Sequence, residues 1–425
     1  MATVYLMYEM EKRELESRVF MAEQLLKANF DVVIFQHSAL SLIASTMRPG
    51  YICLKSTSYQ FDSAIELLAL RGFKIISWQE EGLHHFRGQD QSPVFSRNSS
   101  HLIDKYFAWH PADSELAIRS GVSGPRIEIV GNVRFELLTC DYVYKRNVAA
   151  SKIRVLILTN FDKSALLYNF TNDPNLDQKG REFAEEFWLL EKSSGDRNAS
   201  MYRNFFREMQ HFAKAEIRVR PYFYEKHKIH EEFGLPTDPF HSITESLKNC
   251  DLLIHYGSTG GLEAATLGIP NLILAETTEG IDKRILECGK FFDSEIKIAE
   301  EIKNIFESDM RAKFLSNEQY RTLISNYGFD LRNSTHTSSL ITYCQGEDMI
   351  FPKNGGRYIR RSVLLIAWSW IHLKYILRMS FSKNHATKAR SLNKITTMEA
   401  LWDPLRHLNV QLNYAFRGRA VKFMR

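Results

Sequence analysis

Residues 251–270, DLLIHYGSTGGLEAATLGIP, are the segment best suited to chemistry. An apolar run enters a Gly/Ser/Thr turn, and the turn opens a helical pattern. Glycines let backbone approach a ligand closely, and the N–H groups at a helix start favour anionic oxygen. Gly257, Ser258, Thr259 and Gly260 make the turn, and the two hydroxyls add donors. Glu263, one turn further on, can accept from ribose hydroxyls. A tight strand-to-helix turn that binds nothing has the same composition. The segment is neither GxxxxGK[ST] nor GxGxxG, which argues against a P-loop NTPase and an NAD enzyme.

Three other segments carry reactive side chains. In RVRPYFYEK (218–226), Arg220 stands at a strand end, where α/β folds bind ligands, and a guanidinium suits phosphate or carboxylate. A solvated basic strand end reads the same way. In WQEEGL (78–83), Glu80 and Glu81 can act as general base or nucleophile, or simply as acids at a helix start. In LTNFD (158–162), Asn160 ends a strand and points toward the other half of the chain. His84 and His85 have no third spaced ligand, and no DxD triad is present, so no metal site is expected.

These segments need a scaffold that brings strand ends together. Short apolar runs at Thr3–Tyr8, 32–36, Tyr51–Leu54, Lys74–Trp78, 106–109 and 127–130 alternate with helical spacing at 12–29, 38–47 and 63–70. After a polar stretch near 138–152 the pattern restarts. Strands are expected at 154–158, 216–219, 251–255 and 271–274, with helices at 180–191, 201–215, 242–249, 262–267, 298–306 and 317–325. Such alternation argues for βαβ units around parallel sheets. The expected fold is α/β, with two Rossmann-like domains facing a cleft: residues 1–145, residues 146–350, and a basic helical tail over 351–425.

Charge separates the tail from the body. Residues 351–425 hold 15 Lys/Arg and two acids, leaving 40 basic and 48 acidic side chains in the rest of the 425 residues. The body is therefore at −8 and the tail at +13. Within the tail, residues 357–378 flank an apolar stretch with cations and two tryptophans, which suits an anionic membrane surface. The aromatics cluster instead of interleaving with the cations, so nucleic acid is not the expected partner. The apolar stretch 363–377 contains His372 and Lys374 and is shorter than the roughly 20 residues of a spanning helix. The five cysteines are far apart and the first residues lack the pattern of a signal peptide, so a cytoplasmic protein, peripheral on the inner face of the cell membrane, is expected.

Taken together, the motifs resemble those of the bacterial surface carbohydrate biosynthesis protein family, which is similar to the GT-B glycosyltransferases. The resemblance covers roughly residues 3–280. It is carried by EMEKREL with Arg13, ICLKS with Lys55, Glu80 to Leu83, Phe107 to Trp109, and GNVRFEL with Asn132 and Arg134. Thr159 to Phe161, Arg220-Pro221 and the segment from His255 to Gly268 complete it. It implies a metal-independent glycosyltransferase of capsule or lipopolysaccharide biosynthesis, with no cofactor beyond its donor. The implied donor is a nucleotide-sugar, best matched by a CMP-linked nonulosonic acid of the Kdo or pseudaminic type, bound in the second domain. The first domain would face a glycan or lipid-linked acceptor, with Arg13, Lys55, Asn132 and Arg134 in the cleft. UDP-sugar or CDP-glycerol transfer, a UDP-sugar 2-epimerase and a non-catalytic glycan-assembly subunit are the alternatives. One departure stands out: Tyr222 and Phe223 follow Arg220-Pro221 where relatives carry His-Pro, so Tyr222 or His255 would have to take the histidine's place.

Overall fold

The computed structural model describes residues 2–9, 11–57, 61–79, 96, 98–139, 152–159, 178–210, 212–222, 225, 228–278, 281, 283–307, 330–347 and 421–423. In the first half, β1 (Thr3–Tyr8), β2 (Asp31–Gln36), β3 (Tyr51–Leu54), β4 (Lys74–Trp78), β5 (Lys105–Ala108) and β6 (Ile127–Ile129) form a parallel sheet ordered β2-β1-β3-β4-β5-β6. In the second, β7 (Ile153–Thr159), β8 (Ala215–Pro221), β9 (Leu252–His255), β10 (Asn271–Leu274) and β11 (Lys290–Phe292) form another, ordered β11-β10-β9-β7-β8. A short β12 (Val421–Phe423) pairs antiparallel with β2.

The central strands are nearly continuous apolar runs because helices cover both faces. The helices are α1 (Glu16–Lys27), α2 (Leu40–Thr46), α3 (Asp62–Leu70), α4 (Pro111–Arg119), α5 (Val133–Thr139), α6 (Gln178–Met209), α7 (Ile243–Lys248), α8 (Gly260–Thr266), α9 (Lys283–Cys288), α10 (Glu295–Glu307) and α11 (His336–Gly346). On the first sheet, α1 and α11 bury Met21, Leu25, Leu340 and Cys344 on one face. On the other, α2 and α3 bury Leu40, Ile43, Ile65 and Leu68. On the second sheet, α6 and α10 bury Tyr202, Phe205, Phe206, Met209, Ile298 and Ile302. The opposite face is covered by α7, α8 and α9, and that core also takes in Trp109, Phe135 and Leu138 from the first half. The two halves thus share a core.

Two elements differ from the sequence-based expectation. Residues 180–191 and 201–215 read as two helices, split by the polar stretch around Gly195, yet α6 runs unbroken over 32 residues. A glycine inside a helix costs about 1 kcal/mol relative to alanine. Packing of Tyr202, Phe205, Phe206 and Met209 on the sheet outweighs it. The second difference is α11, HTSSLITYCQG, whose Thr- and Ser-rich sequence gives little local helical signal. Tertiary packing makes it a helix: His336 lies edge-on to Trp78 and Phe107, and Tyr51 Oη donates to the carbonyls of Cys344 and Glu347 at 2.9 and 2.8 Å. By packing, α11 belongs to the first sheet, although the sequence-based division places it in 146–350. The expected helix at 317–325 and the apolar tail stretch 363–377 lie outside the described residues. Among the described residues, no helix is long and apolar enough to cross a membrane.

Candidate functional site

Among the described strands, each parallel sheet has a point where neighbouring strands are reached in opposite directions, the kind of crevice where open α/β sheets bind ligands. In the second sheet, β8 lies on one side of β7 and β9 on the other. Register aligns Arg220, Leu158 and His255 in one row at the carboxyl ends of β8, β7 and β9. Beyond His255 the chain enters the Gly257–Gly261 turn, with Gly257 at φ 55°, a left-handed conformation that favours glycine.

His255 organises that turn. It is fully buried, its Nδ1 accepts from the Ser258 N–H at 3.0 Å, and its Nε2 lies 3.3 Å from Asn271 Oδ1. The carboxamide of Asn271 is oriented by its Nδ2, which donates to the carbonyls of Gly261 and Cys288 at 3.2 and 3.0 Å. Oδ1 is therefore an acceptor, and His255 carries its proton on Nε2. Burial lowers the imidazole pKa to about 4, so it is neutral at physiological pH. The helix α8 packs close above it: a Cβ at Gly261 would sit 2.6 Å from His255 Nε2, and one at Gly260 2.7 Å from Leu158 Cδ1. Ser258 Oγ accepts from the Gly260 N–H at 3.2 Å. Thr259 makes no side-chain cap bond to α8.

Arg220 stands in the same row but is occupied. Its Nη1 donates to Asp238 Oδ2, the Phe240 carbonyl and Ser246 Oγ at 2.9, 2.8 and 3.0 Å, and its Nη2 to the His241 carbonyl at 2.7 Å. Tyr222, half-buried, follows Pro221 in a turn closed by Glu225. The Tyr222 N–H donates to the Thr159 carbonyl at 2.8 Å and to Glu225 Oε2 at 3.2 Å, and Thr159 Oγ1 donates to the same carboxylate oxygen at 2.8 Å. Glu225 and Asn271 were not singled out by sequence reasoning. The signal that could have found Asn271 is a carboxamide opening a fully buried strand.

In the first sheet the path reverses at β1, between β2 and β3. A π-helical turn, Glu11–Leu15, follows β1 and delivers Arg13 and Glu14 to this point, while Lys55 follows β3 directly. Glu14 is fully buried. Its Oε2 accepts from the Glu9 N–H at 2.6 Å, and its Oε1 from Arg13 Nη2 at 2.8 Å and Nε at 3.3 Å. Lys55 Nζ lies 4.0 Å from Glu14 and pairs closely with Glu9. Beneath them Arg18 donates from Nε to the Met7 carbonyl at 2.7 Å and stacks over Trp78.

The two halves are joined by α5 and α8. Asn132 Oδ1 accepts from the Arg134 N–H at 2.9 Å, and its Nδ2 donates to the Gln79 carbonyl at 3.1 Å, which Trp109 Nε1 also reaches. Arg134, buried on α5, forms an ion pair with buried Glu263 on α8. Glu263 thus lies in the joint between the halves. Glu136 of α5 accepts from the Thr337 N–H and hydroxyl at 2.9 Å each. Burial raises its pKa, opposed by those bonds. The structure therefore brings together Asn132, Arg134 and Glu263; Arg13 and Lys55; and His255 with Gly257, Ser258, Thr259 and Gly260. Glu80, Glu81 and Asn160 lie outside the described residues.

Two further features bear on chemistry. The thiols of Cys53, Cys250 and Cys344 are buried, and burial pushes their pKa values up, which disfavours the reactive thiolate. No group of three or more His, Cys, Asp or Glu side chains suited to a metal ion occurs among the described residues. A hollow of about 440 Å³ beside Lys105, Glu128 and the hydroxyls of α11 lies apart from both crossings.

Two parallel sheets wrapped by helices and meeting through their carboxyl-end loops define a two-domain, GT-B-like α/β fold. The Methanocaldococcus jannaschii UDP-GlcNAc 2-epimerase superposes at a TM-score of 0.50, with 12% identity over 81% of this chain and 100% of that one. S. aureus MnaA bound to UDP gives 0.51, with 12% identity over 84% and 100%. The wall teichoic acid polymerase TagF soaked with CDPG gives 0.50, with 12% identity over 81% and 88%. A family model described as a protein of unknown function, DUF354, matches residues 191–331. A search of curated proteins finds no match.

Proposed function

We propose that this chain is a metal-independent glycosyltransferase of surface polysaccharide assembly, capsule or lipopolysaccharide. In this reading it moves a nonulosonic acid, of the Kdo or pseudaminic type, from a CMP donor to a glycan acceptor. The observation that carries the reading is the 257–261 turn, held by neutral His255 at the path reversal of the second sheet. The donor phosphate replaces Ser258 Oγ as the acceptor of the Gly260 N–H, and the freed hydroxyl becomes a second donor. Arg220 acts as the post that holds the 238–241 segment beside the site, since its donors already serve that segment. Glu81 or Glu80 is the proposed base for the acceptor hydroxyl, and Asn160 is proposed to share the catalytic site with it. The basic tail holds the enzyme on the inner membrane face, where a lipid-linked acceptor lies.

A hydrolysing UDP-sugar 2-epimerase is the second reading, favoured by the similarity to an epimerase and to a UDP-bound structure. Incubating the full chain with CMP- and UDP-sugars, with and without a glycan acceptor, separates the two. Acceptor-dependent release of CMP is the expected result. An epimerised UDP-sugar made without acceptor would establish the second reading, and no turnover or nucleotide binding with either donor would sink both.

A further inference from the structure

The charged cluster at the first sheet's path reversal has a graded exposure that assigns its members different jobs. Side-chain exposure rises from 0% at Glu14 to 11% at Lys55, 21% at Arg13 and 36% at Glu9. Glu14 is the fixed anion. Three hydrogen bonds compensate its burial, two of them from Arg13, and removing that cation would leave a buried charge, which costs several kcal/mol. Glu9 is the opposite case. It pairs with Lys55 at the rim, and a partly exposed ion pair contributes only about 0–1 kcal/mol. An incoming oxyanion can therefore replace the Glu9 carboxylate at Lys55 while Glu14 keeps Arg13 and Lys55 in place. The lysine ammonium exchanges one oxygen partner for another and stays neutralised throughout.

We infer that the Glu9–Lys55 pair occupies an oxyanion seat: Lys55 and Arg13 bind a carboxylate or phosphate group of the substrate, and Glu9 fills the seat until that group displaces it. Two independent features place a ligand there. One is topology, because the seat lies at the path reversal of its sheet, at the carboxyl ends of β1 and β3. The other is construction: a π-helical turn, an element frequent at functional sites, sets Arg13 and a buried carboxylate beneath the rim pair. The inference deepens the proposed function, since it rests on the first domain facing the acceptor side and names the chemical group recognised there. Arg13 and Lys55 then set specificity for an acidic glycan or a phosphate-bearing lipid carrier over a neutral sugar.

The test is calorimetric titration of the full chain with inorganic phosphate and, separately, with glucuronate, against neutral glucose. At least one of the two anions should bind and glucose should not. Lys55→Gln should weaken that binding by about tenfold or more, as loss of a charge-assisted bond predicts. Glu9→Gln should tighten it by about fivefold, because the competing carboxylate is gone. That gain is a sign that a merely structural role for Glu9 would not give. Binding of neither anion, an unchanged affinity in Lys55→Gln, or weaker binding in Glu9→Gln would overturn the seat. Glu9 is at the rim, so its variant remains informative if Lys55→Gln fails to fold. CMP and UDP titrations of the same proteins keep the two ideas apart. Loss of nucleotide binding with the anion response intact refutes the donor site alone, and the converse refutes the seat alone.

Discussion

At the β1/β3 crossing two glutamates, an arginine and a lysine meet, whereas at the β7/β9 crossing a neutral imidazole, a carboxamide and two glycines meet. Both places are reversals of a parallel sheet, and both lie at strand carboxyl ends. Topology therefore places both crevices at strand carboxyl ends and leaves their chemistry to the loops. The second crossing is held by shape. Glycines let α8 descend onto His255 and Leu158, and the imidazole spends both nitrogens on the turn and on Asn271. The first is held by charge, graded from a buried anion to a rim pair that can exchange. A preformed turn suits a constant group such as a nucleotide phosphate. An exchangeable ion pair suits a group that arrives on different substrates.

The ion pair Arg134–Glu263 ties the two halves together, and breaking it should have the largest effect. Arg134→Leu leaves Glu263 as an uncompensated buried carboxylate, which should cost about 3–5 kcal/mol in urea unfolding. Replacing both residues by leucine should recover most of that loss, because an apolar pair needs no counter-charge. If the single variant loses less than about 1 kcal/mol, the halves are not coupled through this contact.

The residues that made this comparison possible were unequally legible in the sequence. The central strands were readable because burial on both faces makes them apolar runs: TVYLMY, YICL and KIISW fall where expected. The GSTGG turn was readable because its glycines sit between a strand and a helix. The state of Arg220 was not, since Asp238, which pairs with it, lies 18 residues away and is brought back by the 234–241 segment. Nor was the weight of Glu14 visible. In EMEKREL it is one charge among several, and only the π-helical turn makes it the buried one. The GSTGG glycines themselves read as ligand-binding freedom, whereas Gly260 and Gly261 are glycines because Leu158 and His255 lie against them. Local composition reports the element, and contacts distant in sequence decide the role.

Acid should separate the crossings by a smaller margin. His255 has its pKa lowered from 6.5 to about 4 in the fold, by burial. The unfolded chain takes up a proton near pH 6.5, and the folded chain does not until near pH 4. Stability is therefore lost as pH falls through that window, by about 2 kcal/mol between pH 7 and pH 5 from this one group. In His255→Gln, unfolding free energies at the two pH values should lie closer together by that amount. An unchanged difference would mean that the imidazole is not held neutral, and the contrast between a neutral and a charged crossing would fail.

An effect of the same order asks whether shape holds the second crossing. Adding a methyl at Gly261 drives it against a buried imidazole bonded at both nitrogens, so the ring cannot yield without breaking a hydrogen bond. Overpacking of this kind costs about 1–3 kcal/mol. The same methyl at Gly260 meets the δ-methyl of Leu158, the free end of a flexible side chain that can move aside. Gly261→Ala should therefore lower the unfolding free energy by about 2 kcal/mol and weaken nucleotide binding, while Gly260→Ala stays within about 1 kcal/mol of the parent. Equal losses at both positions would place the constraint in the backbone of the turn. A loss at Gly261 alone places it in the imidazole, the residue that distinguishes this crossing from the charged one.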